Sequence, residues 1–186
     1  MRVIAGSLGG RRLVAPRDRS TRPTADRVKE ALFSILGDAV TDAVVLDLYA
    51  GSGALGIEAL SRGAARACFV ESAHDAEDAI RRNLAACGLG ARARVIRSTV
   101  ERARHALAPD APFGLVFADP PYAHAAAAIA AVAALARELA PSATVVLEHA
   151  RRDELSATFG RAGLEPFDER GYGDTGITLL RVGAEV

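Results

Sequence analysis

Residues 118–122, ADPPY, end an apolar run with a carboxylate, two prolines and an aromatic ring. Proline fixes φ and has no N–H, so such a turn presents acceptors on a stiff backbone. That suits the exocyclic amine of a nucleobase, which is a poor nucleophile because its lone pair is delocalised into the ring. The Asp119 carboxylate and the Pro120 carbonyl can accept from the two amine hydrogens and turn the lone pair toward an electrophile. Pro121 stiffens the turn, and Tyr122 can stack on a base taken out of its neighbours.

A glycine-rich stretch lies upstream. DLYAGSGALG, residues 47–56, places Gly51-x-Gly53-x-x-Gly56 between an apolar run and a helix-forming one. Glycines there allow a tight turn and let the backbone of Ala50, Gly51, Ser52 and Gly53 approach a ligand closely. Glu71, with Ser72 after it, closes the next apolar run, where an acid can bind ribose hydroxyls. A dinucleotide and S-adenosylmethionine fit this pattern equally, since both carry ribose and adenine. Asp47, just before the glycines, favours the second: a carboxylate repels a pyrophosphate and attracts the ammonium of S-adenosylmethionine, directly or through water. ADPPY favours it more strongly, because a sulfonium methyl is the electrophile that a base amine needs. Such chemistry requires no metal, and His74, His105, His124 and His149 lack metal-ligand spacing and read as surface or capping residues.

The elements that must position these residues follow a regular rhythm. From residue 43 apolar strand runs alternate with helices: AVVLDLYA, ARACFVES, ARARVIRST, FGLVFAD and ATVVLEH are strands, with helical stretches between them. Such β–α units imply a mostly parallel sheet with helices on both faces. GLEPFDERGYGDTGITLLRV adds an antiparallel pair at the C-terminal edge, giving seven strands. Ligands in such open α/β sheets bind beyond the carboxyl ends of the strands, where Asp47, Glu71, Ser98, Asp119 and Glu148 all fall. The N-terminus, RVIAGSLGGRRLVAP, reads as a small β-hairpin, followed by a loop and a helix capped by Thr24.

Composition sets the class. Of 186 residues half are hydrophobic and a quarter charged, as in a soluble globular domain. No apolar run approaches the roughly 18 residues of a membrane span, and the two cysteines, Cys68 and Cys87, fit buried thiols in a reducing cytoplasm. Net charge is zero but uneven: residues 1–36 hold eight basic and three acidic residues. That asymmetry points either to a polyanion near the N-terminus, with Arg2, Arg11, Arg12, Arg22 and Arg27 as contacts, or to an ordinary solvated face.

VLDLYAGSGALGIEALSRGA, FVE and ADPPY resemble the motifs of class I adenosylmethionine-dependent methyltransferases that act on base amines. RVIAGSLGGRRL and RPTADRVKEALFSIL narrow the resemblance to the bacterial 16S rRNA (guanine(966)-N(2))-methyltransferase family over nearly the whole chain. The resemblance implies a Rossmann-like domain over residues 24–186 with a basic extension over 1–23. It implies that Asp47, Gly51 and Gly53 line the methionine end of S-adenosylmethionine and that Glu71 holds the ribose. Asp119, Pro120, Pro121 and Tyr122 would hold the guanine, and Arg22, Pro23, Thr24 and Arg27 would cover the site or touch RNA. Many class I enzymes place an acid after the third strand to meet adenine; here Ser98 and Thr99 stand there. The expected substrate is 16S rRNA, alone or in the assembling 30S subunit, and the expected state is a monomer. A DNA adenine or cytosine amino-methyltransferase is the alternative; a nicotinamide oxidoreductase and a non-catalytic RNA-binding protein are remoter ones.

Overall fold

The computed structural model describes residues 1–16 and 26–183, apart from the Tyr122 side chain. Strands β1 (Val44–Leu48), β2 (Arg66–Glu71), β3 (Ala93–Arg97), β4 (Phe113–Ala118), β5 (Leu139–Ala150), β6 (Leu164–Tyr172) and β7 (Thr175–Val182) form one sheet in the order β3-β2-β1-β4-β5-β7-β6. The first five strands are parallel, and β7 is antiparallel to both β5 and β6. The order reverses between β1 and β4, the switch point at which such sheets bind ligands. The edge strand β6 carries Pro166 and a register shift between Pro166 and Asp168.

Helices α1 (Asp26–Leu36), α2 (Ala54–Ser61), α3 (His74–Ala86), α4 (Val100–Leu107), α5 (Ala125–Ala134) and α6 (Ser156–Arg161) cover the sheet. Because strand side chains alternate, each strand feeds both faces. Val45, Phe69, Leu115, Phe117 and Val146 pack with α1, α2 and α3, whereas Leu46, Cys68, Val70, Val116 and Leu147 pack with α4, α5 and α6. The strands lie where the sequence places them, although β5 starts at Leu139, earlier than ATVVLEH suggests, and α6 has no counterpart in that reading. The Thr24 cap, and the division at residue 23, fall outside the described residues.

The N-terminal segment departs from a regular hairpin. Its two limbs run antiparallel but share one isolated bridge, Arg2↔Arg12, flanked by bonds from Val3 N–H to Arg11 O (2.9 Å) and from Leu13 N–H to Met1 O (3.1 Å). A 3₁₀ turn, Gly6–Leu8, joins them. The limbs also hydrogen-bond to the helices beneath, so the segment is a strap on the core. Val3 and Leu13 are buried with Leu32 and Phe33. Gly6 (φ 81°) crosses so near α2 that a Cβ would lie 2.0 Å from the Ser61 carbonyl oxygen. Ser61 Oγ donates to Ala5 O (2.6 Å) and accepts from Leu8 N–H (3.0 Å).

Glu58 of α2 is the buried anchor of this strap. Oε2 accepts from Ile4 N–H (2.8 Å) and lies 3.2 Å from Lys29 Nζ. Oε1 accepts from Ala5 N–H (3.0 Å) and Arg62 Nε (2.8 Å). Four donors match the lone-pair sites of an ionised carboxylate. Burial opposes the charge, but the Ile4 and Arg62 hydrogen bonds and the Lys29 charge outweigh it and hold the carboxyl below its usual range. Lys29, also fully buried, donates to Arg2 O (2.5 Å). Arg62 covers the Phe33 ring (4.8 Å), which meets Phe117 of β4 with centroids 5.6 Å apart. Glu58→Ala leaves Lys29 buried without its counter-charge and should cost about 3–5 kcal/mol. The exposed Arg2–Asp26 pair should contribute under about 1 kcal/mol. Urea unfolding of Glu58→Ala and Arg2→Ala checks the contrast, and equal midpoints would refute it.

Candidate functional site

Registry brings the two motifs together. Leu48 pairs with Val70 on one side and with Ala118 on the other, and Ala118 pairs with Leu147. The next residue of each strand therefore forms one row along the carboxyl edge: Glu71, Tyr49, Asp119 and Glu148, with neighbouring strands about 4.8 Å apart. Ser98 joins its far end by donating its N–H to Glu71 O (3.0 Å). The glycine loop and the ADPPY turn are thus neighbours.

The loop has an uncommon backbone. Tyr49 (φ 56°), Gly51 (55°) and Gly53 (76°) all lie in the left-handed region, which a tyrosine adopts only under constraint. Tyr49 is half-buried, and burial followed by the charge of Glu101 pushes its phenol up to about 12. The three glycines differ in what holds them. A Cβ on Gly56 would strike the Phe69 ring at 2.4 Å, and one on Gly53 would press on Ile80 and Phe69 at 3.3 Å, both on the protein side. A Cβ on Gly51 meets nothing nearer than Tyr49 O at 4.0 Å, so Gly51 faces the open side of the loop.

Glu71 clamps the loop. Oε2 accepts from Gly51 N–H (2.8 Å), and Oε1 accepts from Ser72 N–H (2.7 Å) and Ala73 N–H (2.8 Å). Three donors on four lone-pair sites leave room on Oε2 for a ligand hydroxyl. The carboxylate beside an open glycine fits the ribose of a nucleoside. Ser72 is exposed, Ser98 half-buried and Thr99 exposed. The Thr99 hydroxyl is engaged with Glu101, whose carboxyl is held down by its own backbone N–H and then by Thr99.

Asp47 differs from expectation. It is 2% exposed and lies under the loop, with Oδ2 accepting from Gly56 N–H at 2.9 Å. It satisfies an amide in the first turn of α2, whose cap residue Gly53 has no side chain. The carboxylate is therefore shielded from a ligand, and its force against a pyrophosphate is less than the sequence suggests. Ala50 and Ser52 are buried as well, and Ser52 turns its carbonyl to Asn83 of α3 (2.9 Å).

On the other side of Tyr49, Asp119 is half-buried, Pro120 buried and Pro121 exposed. Pro121 O accepts from His124 N–H (2.8 Å), closing the 3₁₀ turn Tyr122–His124. That leaves the Pro120 carbonyl, which no backbone N–H meets among the described residues, as the acceptor beside Asp119. Tyr122 begins the turn; its stacking role falls on a side chain outside the description.

The basic residues have different surroundings. Arg2 pairs with Asp26 (3.3 Å), and Arg12 is exposed across the bridge from it. The charge of Arg11 acts on Cys87, opposing burial, which raises that thiol. Arg27 is exposed on α1, and Arg22 and Thr24 lie outside the described residues. Lys29, counted among the basic residues of the N-terminal region, is consumed by Glu58. His149 corrects another expectation, since it is buried. Its Nδ1 faces Ala150 O at 2.9 Å, and a carbonyl only accepts, so Nδ1 carries the hydrogen and Nε2 accepts from Thr178 Oγ1 (2.9 Å). No group of side chains among the described residues could hold a metal ion, and no described helix is long and apolar enough to cross a membrane.

Sequence reasoning passed over Tyr49, Glu58 and Asn83. Asn83 had a signal: it falls on the apolar Ile80–Leu84 face of α3, where a polar residue must find buried partners. Glu58 sits among Ile57, Ala59 and Leu60, in a helix apolar on every side, for the same reason.

Comparison with known proteins agrees with this architecture. A family model described as Conserved hypothetical protein 95 matches residues 1–181. YlbH of Bacillus subtilis (strain 168), provisionally named an rRNA methyltransferase, is 40% identical over 185 residues, 97% of this chain and 98% of that protein. Ribosomal RNA small subunit methyltransferase D of Escherichia coli (strain K12) is 44% identical over 123 residues, 66% of this chain and 60% of that protein. Among solved structures, Escherichia coli yhhF, provisionally named a methyltransferase, superposes with a TM-score of 0.82 at 34% identity, covering 100% of this chain and 99% of that one.

Asp47 gives a pH signature. Burial, then the nearby charge of Glu71, lifts its carboxyl to about 8 against the Gly56 hydrogen bond. An unfolded chain ionises it near 4. Between about pH 4 and 8 the folded state therefore holds the extra proton, and stability falls as pH rises through that window, levelling above about 8. Asp47→Asn keeps an acceptor for Gly56 without the titration. Its urea midpoint relative to wild type should rise from pH 5 to pH 8; parallel curves would contradict the buried neutral carboxyl.

Proposed function

The chain belongs to the Conserved hypothetical protein 95 family, and from that premise we propose that it transfers a methyl group from S-adenosylmethionine to the exocyclic N2 amine of a guanine in 16S rRNA. It acts as a monomer in the cytoplasm, on the assembling small subunit. The observation that carries this reading is the shared edge row. A ribose-binding carboxylate and an ADPPY turn flank Tyr49 on adjacent strands, so nucleoside and base amine can meet over the β1/β4 switch point.

S-adenosylmethionine supplies a methyl on a positively charged sulfur, which leaves as a neutral thioether. Glu71 takes the ribose hydroxyls on the spare capacity of Oε2, with Ser72 and Ser98 at its flank. Gly51 lets the nucleoside lie against the loop backbone, and Ala50, Ser52 and Gly53 shape that loop. Asp47 acts through Gly56, holding the start of α2 under the site. Asp119 and the Pro120 carbonyl accept the two amine hydrogens and aim the lone pair. The N–CH₃ bond forms as the sulfur–methyl bond breaks, and the surplus proton leaves to Asp119 or water. Pro121 and the closed 3₁₀ turn keep the acceptors fixed, and Tyr122 stacks on the base. Arg2, Arg11, Arg12, Arg22, Thr24 and Arg27 meet the RNA from the N-terminal region. Recognition rests in part on the shape of the RNA.

The test is single-turnover transfer of a labelled methyl to 30S particles lacking the modification, with naked 16S rRNA and duplex DNA as parallel substrates. Label should enter 16S rRNA. Asp119→Ala should slow transfer by about 10²-fold or more, the scale of one preorganised polar group, while S-adenosylmethionine binds as before. Asp119→Asn should fail too, because its NH₂ can point a donor at the amine. Wild-type rates in Asp119→Ala would reduce ADPPY to a turn, and label in DNA alone would move the substrate to DNA.

A further inference from the structure

We propose that Asn83 is a positioning residue through which the N-terminal strap sets the geometry of the glycine loop. Its effect on cofactor affinity rests on the methyltransferase reading, whereas the mechanical coupling does not. Asn83 is 1% exposed and projects from α3 between the strap and the loop. Its Oδ1 accepts from Val14 N–H (2.8 Å), while Nδ2 donates to Val14 O (2.9 Å) and to Ser52 O (2.9 Å). An amide nitrogen has two hydrogens. One holds the strap and the other holds the loop, so neither can move without turning the same group.

Ser52 is the point at which such a hold matters. Both neighbours, Gly51 and Gly53, are left-handed glycines, and glycine has the widest choice of backbone conformations. Fixing the Ser52 carbonyl fixes the peptide plane it shares with Gly53, whose N–H returns to Ala50 O (2.6 Å). A second tie runs the same way, from Ser52 Oγ to Met1 Sδ (3.4 Å). The strap therefore reaches the cofactor loop from both of its limbs. Its other end is anchored by Glu58 and Ser61, remote in sequence from both. RNA engaging the arginines of the strap would stiffen the loop, and a bound cofactor would in turn steady the strap, because coupling of this kind is reciprocal.

The experiment reads amide hydrogen exchange of the full chain at Gly53, relative to Val116 and Leu147 in the central strands, together with S-adenosylmethionine affinity by calorimetry. Two variants approach the amide from opposite sides. Asn83→Asp keeps the acceptor for Val14 and puts an oxygen where Nδ2 faces Val14 O and Ser52 O. Leu13→Ala loosens the strap from the core and leaves Asn83 and the loop unaltered. In each, exchange at Gly53 should accelerate by about ten-fold beyond any change in the strands, and affinity should fall by about ten-fold, the scale of one hydrogen bond. A merely structural asparagine would speed Gly53 and the strands together. Unchanged relative exchange at Gly53 in Leu13→Ala overturns the proposal, whether or not Asn83→Asp folds. If the wild-type chain fails to bind S-adenosylmethionine, the methyltransferase reading falls, while the exchange pattern still decides the coupling.

Discussion

A carboxylate with no access to water organises this molecule. Glu58 draws two backbone amides, a lysine and an arginine to one point: the amides come from the strap, Lys29 from α1, and Arg62 from the cap position just after α2. An unpaired charge there would be intolerable, so the four donors assemble together or not at all. The strap needs such an anchor because its limbs share a single bridge. In return it buries Val3 and Leu13 on helices that would otherwise present apolar surface to solvent. Through Phe33 and Phe117 the same anchor reaches β4, two residues before Asp119.

The carboxyl edge of the sheet shows two carboxylates used in opposite ways. Glu71 has its oxygens turned toward main-chain amides at the rim and keeps capacity for another donor. Asp47, one strand away, is sealed under the loop and favours its neutral form. The first is suited to a ligand and the second to the protein. Glycines divide along the same line: Gly53 and Gly56 make room for Phe69, while Gly51 makes room for whatever lies outside.

Sheet and site differ in how far the sequence discloses them. Apolar runs such as VVLDL and FGLVFA are buried on both faces and announce parallel strands without ambiguity. In a parallel sheet every strand ends on the same edge, so Asp119 and Glu71 share it whatever the strand order. Periodicity says nothing about which backbone amides a buried acid will collect. Glu58 meets Ile4 and Ala5 across more than 50 residues, and Asn83 meets Val14 across 69. Main-chain donors look the same at every position, so these contacts leave no mark on their partners' identities. The depth of Asp47 is hidden for a related reason: a strand-end acid can face solvent or a helix start, and only the path of the glycine loop decides.

The outer strand β6 carries one last consequence. An exposed strand edge is a template for another chain's backbone. Here Pro166 removes one donor, the register shift beside it bends the ladder, and Arg170 grips Asp168 in charged cover. Arg181 of the neighbouring strand lies over Phe167, one of the few large apolar side chains left in the open. Intermolecular sheet extension is thereby discouraged at this outer edge, three strands away from the one that leads into Asp119.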